Sequence, residues 1–176
     1  MWERRVSRRR GLFAIAGAVA LLAVVAVPFA AGAGPLLASG TVSEKVPPGA
    51  DWTITGTNGQ PFVINSKGSP QSPISVTAPG ETFQFTPTSC SGSFTDPKLG
   101  GTTVYGVGPV VTGSYSGSSS FKVSYYGYAI HKGPGGADFS DVWGLGSYWF
   151  IYCAIPTLMA SPPYAVDPSS SVTFGV

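Results

Sequence analysis

The residues of this chain that can hold a metal or carry a reaction are few. Cys90 and Cys153 are its only cysteines, His131 is its only histidine, and Met159 follows Cys153 by six residues. Outside the reducing cytoplasm an even pair of thiols forms a disulfide. Closing a loop as long as Cys90 to Cys153 stabilises a fold by about 4 kcal/mol, through freedom lost from the unfolded chain. Left reduced, Cys90, Cys153 and Met159, joined by His131, would offer soft sulfur ligands suited to Cu(I). Nucleophilic catalysis has less to draw on, because a Ser/His/Asp set would depend on His131 alone and no nucleophile-elbow pattern accompanies it.

The remaining candidates are read more plainly. His131 opens the run His131-Lys132-Gly133-Pro134-Gly135-Gly136, a loop by composition, which predicts a solvated surface histidine. Asp138 and Asp141 could form a carboxylate pair for glycoside hydrolysis or calcium, but with no third acid nearby they read as solvated loop charges. Gly133, Gly135 and Gly136 lack the Lys-Ser/Thr and the helix that a phosphate-binding loop needs. The aromatic residues Tyr125, Tyr126, Tyr128, Trp143, Tyr148, Trp149, Phe150 and Tyr152 admit two readings. They are a binding face for sugars or a neighbouring subunit, or the alternating core and surface rings of paired strands. No residue is expected to be catalytic, and the chain is not expected to be an enzyme.

The elements that would position these residues are strands. Trp52 to Thr55 and Pro61 to Asn65 flank Asn58-Gly59, a pair that takes positive φ readily and so predicts a hairpin. Further strands are expected at Ile74–Thr77, Thr82–Thr86, Thr103–Val111, Phe121–Ile130, Ser147–Ile155 and Ser171–Phe174, with Pro79-Gly80 as a turn. Phe83 and Phe85 alternate with Thr82, Gln84 and Thr86, as a strand with one buried face requires. Beyond residue 40 no stretch repeats apolar residues at helical spacing for three turns. The expected fold class is therefore all-β, a Greek-key sandwich or barrel of about seven or eight strands, cupredoxin-like or immunoglobulin-like in shape, preceded by an N-terminal apolar helix. Ser114 to Ser120 is expected to be a flexible loop.

The N-terminus is a targeting segment. All five arginines, Arg4, Arg5, Arg8, Arg9 and Arg10, precede a stretch from Gly11 to Ser43 that holds no charged residue. Residues 1–33 are expected to be a signal peptide or a signal-anchor helix, with processing at Ala33, the end of an Ala-Gly-Ala triplet, or alternatively at Gly11. Residues 34–48, with Pro35, Pro47 and Pro48, read as a Pro/Gly tether, and residues 49–176 as the extracytoplasmic domain, secreted or anchored with its N-terminus in the cytoplasm. Without the first 33 residues the chain has five lysines, no arginine and seven acids, which excludes a nucleic-acid role based on charge. The expected partners are the membrane, through the N-terminal segment, and another surface protein or further copies of this chain.

The stretch Gly146-Ser-Tyr-Trp-Phe-Ile-Tyr-Cys153-Ala-Ile-Pro-Thr-Leu-Met159 resembles the C-terminal copper loop of cupredoxins, the plastocyanin and sulfocyanin type. Ile74 to Thr86 is similar to the strand pair that precedes their first copper histidine. The resemblance implies Cys153 as thiolate and Met159 as axial ligand, and it puts Cys90 where the family has a histidine. Neither position expected to hold an imidazole has one here. It therefore implies a cupredoxin-like domain without cofactor, in which a Cys90–Cys153 disulfide replaces the metal. Three functions stand as expectations: a non-catalytic surface domain acting by protein contact, a copper-binding or electron-transfer relative of cupredoxins, and a pilin-like or other filament subunit suggested by Arg10-Gly11.

Overall fold

The computed structural model describes residues 34–47, 49–113, 123–160 and 164–176. The targeting segment 1–33, its processing positions Ala33 and Gly11, and the loop 114–120 lie outside the described residues. Eleven strands form among those residues: β1 Leu36–Val46, β2 Ala50–Gly56, β3 Phe62–Asn65, β4 Ile74–Ala78, β5 Glu81–Phe85, β6 Cys90–Thr95, β7 Thr102–Thr112, β8 Tyr125–Gly133, β9 Gly136–Gly144, β10 Tyr164–Ala165 and β11 Ser171–Phe174. One helix, α1, spans Trp149–Ala154 between short 3-10 turns at Gly146–Tyr148 and Pro156–Met159.

The strands make one curled antiparallel sheet in the order β10-β9-β8-β7-β5-β4-β2-β1-β11, with β3 added to β1 and β6 added to β7. The two longest strands are where the sheet curls. The first half of β1 pairs with β3 and β11 and its second half with β2. The first half of β7 pairs with β6 and its far end with β5, while β8 runs along its other edge. The two ends of the sheet then meet, because Val166, next to β10, forms an antiparallel bridge with Glu44 of β1.

Alternation fills the interior of this curl. Phe83 and Phe85 of β5 are fully buried while Thr82 and Gln84 are not, and Phe83 stacks on Tyr126 of β8 with ring centroids 4.3 Å apart. Phe62 meets Tyr128 edge-on at 5.4 Å. Each ring of this kind contributes roughly 1.5–3 kcal/mol by leaving water. Opposite these tyrosines on β7 stand glycines, Gly106 paired with Tyr128 and Gly108 with Tyr126. A Cβ at Gly108 would lie 1.6 Å from the Thr86 carbonyl oxygen, so no larger residue fits there.

Three sequence expectations are corrected. The stretch 34–48 is no tether, since most of it is β1, the strand through which the sheet is joined up. Its buried positions are Leu37, Ala38, Gly40, Val42 and Glu44, so the alternation is carried mostly by small residues and one acid. The Asn58-Gly59 turn has the expected positive φ values, 57° and 72°. Its flanking strands nevertheless do not pair with each other, because both run antiparallel to β1 and pair with successive parts of it, β3 with Leu36–Gly40 and β2 with Val42–Val46. Finally, the expected strand Ser147 to Ile155 is helical through Ala154, because Trp149, Tyr152 and Cys153 pack on one side of a single turn.

Candidate functional site

The helical segment after β9 lies on the outer face of the β6–β7–β8 part of the sheet. Trp149, Tyr152 and Cys153, at i, i+3 and i+4, are the inward side of α1. They pack with Cys90, Tyr105, Val107, Ala129, Leu145 and Met159 in a second apolar cluster, separate from the main core. Trp149 stacks on Tyr125 with centroids 5.1 Å apart. Met159 is fully buried, and the absence of a side chain at Gly127 makes room for its sulfur. Cys90 and Cys153 are joined in a disulfide, with Cα atoms 5.7 Å apart, which fastens the helix to the first residue of β6.

The other side of the segment faces water without polar cover. Tyr148 is 68% exposed, Phe150 55%, Ile155 52% and Leu158 52%. Isolated exposed apolar residues are ordinary, but four large ones on one short segment form a patch of the kind that marks a contact surface. No Asp, Glu, Lys or Arg occurs from Val142 to Val166, so the patch has no charge of its own. This uncharged run was the sequence signal that could have located the surface. Helical spacing could not, because it extends over a single turn.

The segment that carries the patch is linked by a chain of bonds to where the chain enters the sheet. Ser66 donates its backbone N–H to the Pro35 carbonyl at 2.9 Å. Gln71 then links this corner to β6: its amide donates to the Asn65 carbonyl at 2.9 Å and to Ser91 Oγ at 3.2 Å. Ser91 is the neighbour of Cys90, and through the disulfide the entry point is tied to α1.

His131 is neither exposed nor in a loop. It sits near the end of β8 with only 3% of its surface accessible. Nδ1 lies 2.6 Å from Asp138 Oδ1 and Nε2 lies 2.7 Å from the Gly100 carbonyl oxygen. A carbonyl only accepts, so Nε2 carries a proton, and a carboxylate at Nδ1 favours a second one. Burial works against that charge, but the Gly100 carbonyl, the Asp138 carboxylate and the nearby Asp96 outweigh it and raise the histidine above its usual range. The ring thus clamps the 96–101 turn to β9. With both nitrogens engaged it is placed as a fastener, beside an open hollow of about 560 Å³ formed by the ends of β7 and β8 and by Phe139 and Val176.

Asp138 and Asp141 are likewise on β9 rather than in a loop, and Asp141 is buried. Burial, partly offset by the Val142 N–H that it accepts, pushes the Asp141 carboxyl up to about 7. Another buried acid carries no signal in the sequence pattern. Glu44, 1% exposed, closes the seam between β1 and β9 by accepting a hydrogen bond from Ser140 Oγ, while its second oxygen has no partner. Burial pushes the Glu44 carboxyl up to about 8, helped by the Asp141 charge and opposed by the Ser140 bond, so it is protonated at neutral pH. Fully buried Tyr128 lies in the same field: burial and then Glu44 raise its hydroxyl, Ser140 lowers it, and the hydroxyl makes no hydrogen bond of good geometry.

Of the copper candidates, Cys90, Cys153 and Met159 do converge, but both thiols are taken up by the disulfide. His131 is not with them. Cys90 pairs with Val107 and His131 with Thr103, four residues along β7, ~13 Å at about 3.4 Å per residue. No group of three His, Cys, Asp or Glu side chains placed to hold a metal occurs among the described residues. No protein-family model, no curated protein and no solved structure matches this chain.

Proposed function

We propose that this chain is an exported domain, held at or released from the membrane by residues 1–33, that works by contact at the cell surface and not by catalysis. The single observation behind this reading is the uncharged ridge of Tyr148, Phe150, Ile155 and Leu158, exposed on a segment that the disulfide fixes to the sheet. An exposed apolar surface has a cost in water that only an occupant removes. The His131 clamp supports the same reading, because both ring nitrogens are engaged in holding two elements together. The test is a Phe150→Ser/Leu158→Ser double variant of the full chain, compared with the parent on intact cells by cross-linking from the ridge both to protein and to photoactivatable lipid. The variant should keep its disulfide and its circular dichroism while losing the parent's cross-linked products. Unchanged products from a folded variant would show that the ridge is not the contact surface.

A further inference from the structure

We infer that the occupant of the Tyr148–Leu158 ridge is the lipid surface of the membrane from which the chain emerges. The inference rests on the contact reading above and names its partner. Only Gly34 and Pro35 separate Ala33, the end of the segment expected to span or leave the bilayer, from Leu36, the first residue of β1. Two or three residues reach ~10 Å at most. In the chain that keeps residues 1–33 the entry corner is therefore held at the bilayer, and the Pro35–Ser66 and Gln71–Ser91 bonds and the disulfide tie that corner to α1. A surface kept this close meets its partner at high effective concentration, so weak apolar contacts suffice to seat it.

The ridge presents an aromatic ring with a hydroxyl, Tyr148, beside purely apolar Phe150, Ile155 and Leu158, and all four are at least half exposed. Apolar bodies with a polar tip are what the boundary between headgroups and acyl chains accommodates. Charges are unwelcome there, and the run from Val142 to Val166 has none. The ridge also lacks the lysines and arginines through which proteins recognise anionic headgroups, so the contact is with the hydrocarbon boundary and should be indifferent to headgroup charge.

The test places the full chain, disulfide intact, in phosphatidylcholine vesicles containing a photoactivatable phosphatidylcholine, with labelled residues mapped by mass spectrometry. Labelling is expected within 148–158 as well as within 1–33, unchanged when anionic lipid is added. The Phe150→Ser/Leu158→Ser variant should lose the first set and keep the second. Labels confined to 1–33 would overturn the inference, as would labelling of 148–158 that requires anionic lipid. In the same samples a water-soluble bifunctional cross-linker separates the two levels of the reading. Ridge-to-ridge products without lipid labels would mean that a second copy covers the surface, which overturns the lipid assignment and leaves the contact function standing. Neither lipid labels nor protein products at the ridge would sink both.

Discussion

Replacing Glu44 by glutamine should make the domain more stable, and increasingly so as pH rises. The carboxyl is buried at the seam and titrates at about 8 instead of the ordinary 4.5. Below the ordinary value both folded and unfolded chains are protonated there, and the folded state has its full stability. Between the two values only the unfolded chain ionises, which favours unfolding by about 1.4 kcal/mol per pH unit. Stability is therefore lost as pH climbs to about 8, above which Glu44 ionises in place. The window is about 3.5 pH units wide, which amounts to an order-of-magnitude total of ~5 kcal/mol, comparable with the whole stability of an ordinary domain. Glutamine cannot ionise, fills nearly the same volume, and still offers an amide oxygen to Ser140. Equilibrium denaturation of both proteins between about pH 5 and about pH 8, with the disulfide intact, should show the advantage of the variant growing by about 1.4 kcal/mol per pH unit. Asp141 titrates in an overlapping window, pushed up to about 7, but it is present in both proteins and largely cancels in the difference. An advantage that does not change with pH, or a variant that is the less stable one at the alkaline end, would refute the assignment of Glu44 as a neutral buried acid.

Two further predictions address the fasteners. A Cys90→Ser/Cys153→Ser variant should lose about 4 kcal/mol, the value expected for cross-linking residues 63 apart, and limited proteolysis should then cut first within 146–159. His131→Gln should destabilise the chain at mildly acidic pH and matter progressively less as pH rises. The folded-state value of His131 is raised, so its contribution is full below the ordinary histidine range and lost as pH rises through the folded value. Thermal melts of parent and variant across that range check the sign.

Much of the fold was legible because local chemistry and final position agree. β5 and β11 lie where β-branched and aromatic alternation places them, and Asn58 takes the positive φ that Asn-Gly turns supply. β1 was illegible because its inward positions include Ala38, Gly40 and Glu44, residues that pattern reading does not score as core. A strand paired with β2 and β3 along one edge and with β11 on the other can bury such residues because its neighbours provide the apolar volume. α1 was missed because its apolar face lasts one turn, and its aromatic, β-rich composition favours a strand until the packing of Trp149 and Cys153 decides otherwise. His131 and Asp138 looked like loop residues because glycines surround them. In fact those glycines make the tight β8–β9 hairpin, and a register shift between His131 and Lys132 sets Asp138 between paired positions of the two strands that carry these residues. The disulfide was expected from compartment and implied by resemblance, whereas the ridge it supports was visible only as an absence of charge.

The cross-link between β6 and α1 also bears on how tightly the ridge can bind. A short helical segment free to fray would lose roughly 1–2 kcal/mol of backbone freedom per residue ordered when its partner arrived, enough to erase the gain from a few apolar side chains. Here that ordering is completed during folding, by the disulfide and by the stacking of Trp149 on Tyr125, before any partner is present. The surface is a preformed one, so an occupant would meet it without that ordering cost.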